Sequence, residues 1–268
     1  SNEYEKLRSK NQDLTFNYVT EKFREKGIRF DLRGSGLLNA EGEYNNAALI
    51  LSDQNPTKSK SAIFQGIDVS VFIDKKKFTG SAMKQLDDML YFANISNKKR
   101  VFITGNPERQ EYEDIPKRAL REGICNCFCH RDYSLSGDIK VEFYDDRVAI
   151  FSPGSLPDGL TVKEIKEGMT AKRNQIIVDA LDKAEYVENY ASGVRRIFAD
   201  YEGYEKAPEY KISDNGVILT LYNRNYNVPN VPNNVPNVPN FEDEKDIISA
   251  KGRKIIIIKE VSANPGIT

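Results

Sequence analysis

The sequence has few of the residues that build metal sites and disulfide frameworks. Its 268 residues include three cysteines and one histidine, and all four lie between Cys125 and His130. Three cysteines crowded within five residues cannot form the framework of a secreted protein, and a reducing cytoplasm fits them best. A zinc site needs further ligands, and the chain has no other Cys or His. We therefore expect a cytoplasmic protein without zinc, whose cysteines are buried packing residues.

Long apolar runs and an excess of one charge are lacking too. No apolar run approaches membrane-spanning length, so no membrane is expected as a partner. The formal net charge is −1, from 39 basic and 40 acidic residues. This balance gives no general attraction to nucleic acid. Any DNA contact is therefore expected from a local basic face or from domains outside this chain.

Proline and asparagine dominate one segment, residues 226–240, which reads YNVPNVPNNVPNVPN. Proline fixes φ and lacks a backbone donor, so this segment cannot join a helix or an inner strand. We interpret it as an extended, semi-rigid linker. Residues 241–268 then follow as the expected start of a truncated C-terminal segment.

Before the linker, the pattern predicts helices and hairpins in alternation. Helices are predicted over residues 4–26, 81–95 and 116–131, and near 161–167, 174–184 and 193–202. Strands are predicted within 44–80, including NAALILS, and at 101–105, with hairpins over 139–152 and 210–222. This mixture predicts an α+β fold, with helices on one side of a mixed, largely antiparallel sheet.

The stretch REGICNCFCHRDYS, residues 121–134, contains HRD, a tripeptide of the protein-kinase catalytic loop. That loop requires an asparagine five residues after the aspartate. Here the position after Asp132 is Gly137, and neither a glycine-rich loop nor DFG occurs. The kinase interpretation is therefore rejected.

A carboxylate and a carboxamide, Glu122 and Asn126, stand four residues apart in the same predicted helix. This spacing places both side chains on one face, one turn apart. An amide oxygen can bind the Mg²⁺ of a nucleotide triphosphate, and a carboxylate can orient or deprotonate a water molecule. By spacing alone, an ordinary solvated Glu/Asn pair is the better explanation.

The order of several blocks adds context to this pair. The stretch YEDIPKRALREGICNCFCH is followed by IKVEFYDDRVAIFSPGSLPDGL, AKRNQIIVDAL and YVENYASGVRRIF. Together they resemble the GHKL (Bergerat-fold) ATPases. The resemblance is most specific to the divergent GHKL domain of bacterial transcriptional regulators that are also labelled as the C-terminal family of RecG-like helicases. It covers roughly residues 4–240.

The resemblance implies a division of the chain. Residues 1–110 would form an upstream mixed α/β subdomain, and 111–225 a GHKL-like two-layer α/β sandwich. In this family a Schlafen/AlbA-type DNA-binding domain usually precedes the region and a winged helix often follows it. Residues 241–268 would then begin that winged helix. A helicase motor is not expected, because the chain has no GxxxxGK[ST] motif.

The resemblance also implies a site for ATP and Mg²⁺. Glu122 would be the catalytic residue, and Asn126 would hold the Mg²⁺ through its side-chain oxygen. The remaining implied nucleotide-binding residues are Ser152, Gly154, Ser192, Gly193 and Arg195.

Three positions depart from the family pattern. Ser152 stands where an aspartate would accept a hydrogen bond from adenine, and Leu156 and Ala191 replace glycines. A phosphate that approaches backbone amides tolerates a Cβ poorly. An anion could still bind at Gly193 through Arg195 and Arg196, although both arginines are equally compatible with a solvated helix surface.

Two functions therefore compete at this stage. The first is a nucleotide-responsive regulatory and dimerisation module of a bacterial DNA-binding transcriptional regulator, with weak ATPase activity. The second is a degenerate GHKL scaffold that binds no nucleotide. The Glu122/Asn126 pair favours the first, and Ser152, Leu156 and Ala191 favour the second.

Overall fold

The computed structural model describes residues 3–102, 110–188 and 192–226. The predicted linker after residue 226, the segment 241–268, the predicted strand residues 103–105 and Ala191 lie outside the described residues. Within the described residues, no helix combines the length and the apolar character needed to cross a membrane.

Seven α-helices and eight strands make up the described part of the chain. The helices are α1 (Asn17–Glu25), α2 (Asn46–Leu51), α3 (Ala82–Ser96), α4 (Lys117–His130), α5 (Val162–Lys166), α6 (Gln175–Lys183) and α7 (Gly193–Ala199). The strands are β1 (Ser59–Gln65), β2 (Val71–Phe78), β3 (Lys99–Phe102), β4 (Gln110–Glu113), β5 (Ile139–Phe143), β6 (Arg147–Pro153), β7 (Glu209–Ser213) and β8 (Gly216–Tyr222). Short 3₁₀ turns occur at Tyr4–Lys6 and Pro157–Gly159.

One six-stranded sheet organises the molecule, in the order β2-β1-β5-β6-β8-β7. The pair β1/β5 is parallel, and every other neighbouring pair of this sheet is antiparallel. Strands β3 and β4 form a separate antiparallel ribbon. The α+β fold with a mixed, largely antiparallel sheet is thus confirmed. The sheet takes strands from both sides of residue 110, and the predicted division into subdomains there remains a prediction.

Helix α4 lies directly on this sheet. A Cβ placed on Gly123 would come within 2.9 Å of Ile150 Cδ1 and of Leu219 Cδ2, so glycine allows the close approach of helix and strands. Most of the helix is buried, including Cys125, Cys127 and Cys129. The prediction that the cysteines are packing residues is confirmed. No cluster of three or more metal-ligating side chains occurs in the part of the chain that the structure describes.

Two local predictions were wrong. Helix α1 begins at Asn17 and not at residue 4, and only a 3₁₀ turn precedes it. The segment NAALIL forms helix α2 and not a strand. The side chain of Asn45 accepts a hydrogen bond from Ala48 N at 3.0 Å and caps this helix. A short apolar run is compatible with either structure, and here the capping residue decides between them.

Candidate functional site

A cavity of about 410 Å³ lies among α4, the end of β6, α5 and α7. Six of the seven site residues predicted from the sequence line it, namely Glu122, Asn126, Ser152, Gly154, Ser192 and Gly193. Arg195 does not line the cavity, whereas its neighbour Arg196 does. Residues 71 positions apart are thus brought to one place, from Glu122 to Gly193.

The predicted pair on α4 faces this cavity. Pro116 is the N-cap residue of the helix, and its missing N–H costs nothing there because the first N–H groups of a helix have no partner within the helix. Glu122 and Asn126 are partly exposed, while the residues on either side of Asn126, Cys125 and Cys127, are buried. The two polar side chains, one helical turn apart, therefore lie on the face of α4 that is turned away from the core.

The start of α7 packs against this pair. A Cβ at Gly193 would lie 2.7 Å from Glu122 Oε2, and 3.3 and 3.4 Å from the two side-chain polar atoms of Asn126. A side chain at this position would collide with the carboxylate. Gly193 thus allows α7 to approach α4 without displacing the end of the Glu122 side chain, a reason that differs from the phosphate contact expected from the sequence.

An ion pair also connects α7 with α4. Arg196 Nη1 donates to Glu122 Oε1 at 3.0 Å, and Arg196 Nη2 donates to Glu188 Oε2. All three side chains are partly exposed to solvent. We call Glu188, Gly193 and Arg196 the helix wall of the cavity.

The opposite side is formed by the turn after β6. Gly154 has a φ of +95°, and a Cβ there would lie 2.6 Å from Asp132 Cβ. Backbone bonds fix the turn, since Gly154 N donates to Asn215 O at 3.0 Å and Asp132 N donates to Pro153 O at 2.9 Å. The buried Ser152 hydroxyl donates to Cys127 O at 3.4 Å.

Two residues that the sequence did not single out complete this side. Arg173 Nη1 donates to His130 O and to Ser155 O, both at 2.9 Å. Asn174 Nδ2 donates to Cys129 O at 3.0 Å and to Arg131 O at 2.7 Å.

These bonds satisfy carbonyls at the C-terminal end of α4 that lack partners within the helix. They also join the helix end to the turn. We call residues 152–155, together with Arg173 and Asn174, the turn wall.

Burial changes the acid–base properties of the sulfur atoms behind the turn wall. It raises the pKa of Cys127 to about 12. Burial likewise raises the pKa of Cys125 to about 12. Both thiols stay protonated near neutral pH, which makes them poor nucleophiles and poor metal ligands.

Between the two walls the lining is largely apolar, with side chains that include Ile150, Leu160, Ile165, Val178 and Leu219. A mostly apolar cavity with a few polar groups at its ends is the usual form of a small-molecule site. At the polar end, the side-chain oxygens of Glu122 and Asn126 are hard donors of the kind that Mg²⁺ prefers.

Two predicted residues need separate mention. Arg195 is exposed, and its guanidinium lies 3.9 Å from the Cβ position of Gly168, outside the cavity. Ser192 lines the cavity, and among the described residues its buried hydroxyl has no hydrogen-bond partner.

Comparison with known proteins places part of the chain in a family context. Residues 136–221 match the family model described as "Putative ATP-dependent DNA helicase recG C-terminal". This match supports an ATPase-like domain. It includes Ser152, Gly154, Ser192 and Gly193, but it begins at residue 136, after the end of α4, so Glu122 and Asn126 lie outside it.

A solved structure, the DIP2311 protein from Corynebacterium diphtheriae, has a similar fold, with a TM-score of 0.68 and 22% sequence identity. The similarity covers 81% of this chain and 46% of that one, so the present chain spans about half the length of its structural relative. No curated protein matches the chain.

Proposed function

We propose that this chain is a nucleotide-responsive regulatory and dimerisation module of a bacterial DNA-binding transcriptional regulator, and that its cavity binds ATP with Mg²⁺. One observation carries the proposal. Glu122 and Asn126 from α4 meet Gly154 of the turn after β6 and Gly193 at the start of α7 in a single cavity with a largely apolar lining. The match of residues 136–221 to an ATPase-like family supports the same assignment.

The side chains have distinct roles in this proposal. Asn126 would hold Mg²⁺ through its side-chain oxygen, and Glu122 would orient or deprotonate the attacking water of a slow hydrolysis. Their oxygen donors fit Mg²⁺, which prefers hard ligands. When bound, the ion would neutralise charge on the phosphates.

The turn wall would receive the base. The Ser152 hydroxyl hydrogen is directed to Cys127 O, which leaves the oxygen lone pairs free to accept from an amino group. Serine can accept this hydrogen bond but carries no negative charge, whereas aspartate would accept it with one. Ser152→Asp is therefore expected to tighten ATP binding by one charge-assisted hydrogen bond, about 1.5–3 kcal/mol at most.

Calorimetric titration with ATP and Mg²⁺ tests the proposal. Wild type is expected to give a saturable heat, and Asn126→Ala to lose the Mg²⁺-dependent part of it. Glu122→Gln is expected to retain binding and to lose hydrolysis, because glutamine keeps the shape of the side chain without its basicity.

DNA binding is assigned to other domains of the full-length protein, in the cytoplasm. With a net charge of −1, this chain alone is expected to bind duplex DNA only with a Kd of about 10⁻⁴ to 10⁻⁶ M at physiological salt. Fluorescence anisotropy with a labelled duplex measures this directly, and submicromolar binding would contradict the assignment. Sedimentation equilibrium tests the homo-oligomer that a dimerisation role requires.

A second candidate function is a scaffold of the same fold that binds no nucleotide. The observation in its favour is the ion pair between Arg196 and Glu122, which occupies the carboxylate that hydrolysis needs. This candidate predicts no heat of binding for wild type and none for Ser152→Asp at millimolar ATP and Mg²⁺.

A further inference from the structure

At the polar end of the cavity, the start of α7 lies close to Glu122 and Asn126. Gly193 approaches Glu122 so closely that an added Cβ would lie 2.7 Å from Oε2. The other oxygen, Oε1, accepts from Arg196 at 3.0 Å. Both oxygens of the carboxylate therefore lie close to α7, and a metal ion that approaches Glu122 meets a carboxylate already paired with Arg196.

The contact is electrostatic as well as steric. The guanidinium of Arg196 is shared between Glu122 and Glu188, so one cation lies between two carboxylates. Hydrogen bonds to Glu188 and Glu122 raise the pKa of Arg196, and its charge is permanent. A hard cation that arrives with a nucleotide would compete with this guanidinium for the same carboxylate oxygens.

We propose that Arg196 is a built-in competitor for the metal-bearing end of the ligand. This inference rests on the proposed function, because it requires a nucleotide with Mg²⁺ as the ligand. In the structure Arg196 neutralises Glu122 and holds α7 against Asn126. Binding of the metal nucleotide replaces Arg196 at Glu122, and α7 moves away from α4 as this happens. Arg196 acts through Glu122 and is a positioning residue.

A second ion pair between the same two helices provides a matched control. Arg118 Nε on α4 donates to Oδ1 of Asp200, the C-cap residue of α7, at 3.0 Å, and neither residue lines the cavity. Arg118→Gln removes an α4–α7 ion pair but leaves the hydrogen bond between Arg196 and Glu122 in place. If ligand binding required only a weaker attachment of α7 to α4, Arg118→Gln and Arg196→Gln would have the same effect on ligand affinity.

The test is calorimetric titration of wild type, Arg196→Gln, Arg196→Lys and Arg118→Gln, each with ATP plus Mg²⁺ and with ATP plus EDTA. For a partly exposed ion pair, Arg196→Gln is expected to tighten binding of the magnesium complex about two- to fivefold. It should not tighten binding of metal-free ATP, whose phosphates Arg196 attracts. Arg196→Lys should remain near wild type, and Arg118→Gln should leave both affinities unchanged.

A thermodynamic cycle completes the design. In a Glu122→Gln background the competition has already been relieved, so Arg196→Gln should give no further gain. Weaker magnesium–ATP binding by Arg196→Gln, an equal gain in Arg118→Gln, or an additive gain in the cycle would each overturn the inference and leave the nucleotide site standing. If none of the variants binds ATP, the proposed function fails and the inference fails with it.

Discussion

The two walls of the cavity are built from different interactions. The turn wall is held by hydrogen bonds from Arg173 and Asn174 to the backbone carbonyls of residues 129–131 and 155. Both of these side chains are buried. The helix wall is held by Arg196, which pairs with Glu122 and Glu188 at partly exposed positions.

This difference predicts how the cavity responds to a ligand. A buried carbonyl that loses its donor incurs a desolvation penalty of about 1–3 kcal/mol, so the turn wall resists rearrangement. A partly exposed ion pair contributes about 0.2–1 kcal/mol, because water and salt replace it readily. We therefore expect the turn wall to be the fixed part of the site and the helix wall to be the part that responds to a ligand.

The largest effect expected from the difference between the two walls is on the alkylation rate of Cys127, whose carbonyl accepts the hydrogen bond from Ser152. Burial raises the pKa of this thiol to about 12. At pH 8 its alkylation by iodoacetamide should be slower than in the urea-unfolded chain by on the order of a thousandfold, since only the thiolate reacts. The native rate should increase as the pH rises toward 12. Mass spectrometry of the labelled peptide measures both rates, and rapid native labelling would show that the turn wall opens readily.

Gly154→Ala tests the backbone of the turn wall. The new Cβ would meet Asp132 Cβ at 2.6 Å, at a φ of +95° that L-residues rarely adopt. We expect the free energy of unfolding to fall by about 3 kcal/mol, from strain and overpacking together. The control is Gly159→Ala, which has a φ of +69° and no atom within 4 Å of the new Cβ. It should lose only about 1–2 kcal/mol in the same urea titration, and equal losses in both variants would refute the packing argument.

Asn174→Gly tests the hydrogen bonds of the same wall. Asn174 has a φ of 57°, so glycine keeps the backbone conformation and removes only the side chain. Cys129 O and Arg131 O would lose their side-chain donor, and we expect a destabilisation of about 2 kcal/mol. Chemical denaturation measures it, and an unchanged midpoint would mean that water satisfies these carbonyls.

The smallest expected effect is on the helix wall. Arg196→Gln should change the free energy of unfolding by less than about 1 kcal/mol, because the pair with Glu122 is partly exposed. The remaining effect should decrease further at high salt, where exposed charges are screened. A loss as large as that of Asn174→Gly would remove the distinction between the two walls.

The sequence predicted the elements that follow from local patterns. The amphipathic helix over 81–95, its cap Ser81, the helix from Pro116 and the two hairpins all rest on periodicity and turn chemistry, and the structure contains each of them. The i,i+4 spacing of Glu122 and Asn126 likewise placed both residues on one face, and both line the cavity.

The parts that were missed depend on contacts between distant residues. Asn174 reaches carbonyls 43 and 45 residues away, and Arg196 reaches a carboxylate 74 residues away. No local pattern encodes such partners. The neighbouring arginines of α7 show the same limit, because only the packing of that helix turns Arg196 into the cavity and leaves Arg195 outside it.

The central claim is that the cavity between α4 and α7 binds a nucleotide with Mg²⁺. Isothermal titration of wild type and Asn126→Ala with ATP, in the presence and absence of Mg²⁺, tests it most directly. We expect a saturable heat for wild type that depends on Mg²⁺, and loss of this dependence in Asn126→Ala. Absence of heat at millimolar ATP and Mg²⁺, in wild type and in Ser152→Asp, would contradict it and leave a scaffold with Glu122 and Asn126 unused.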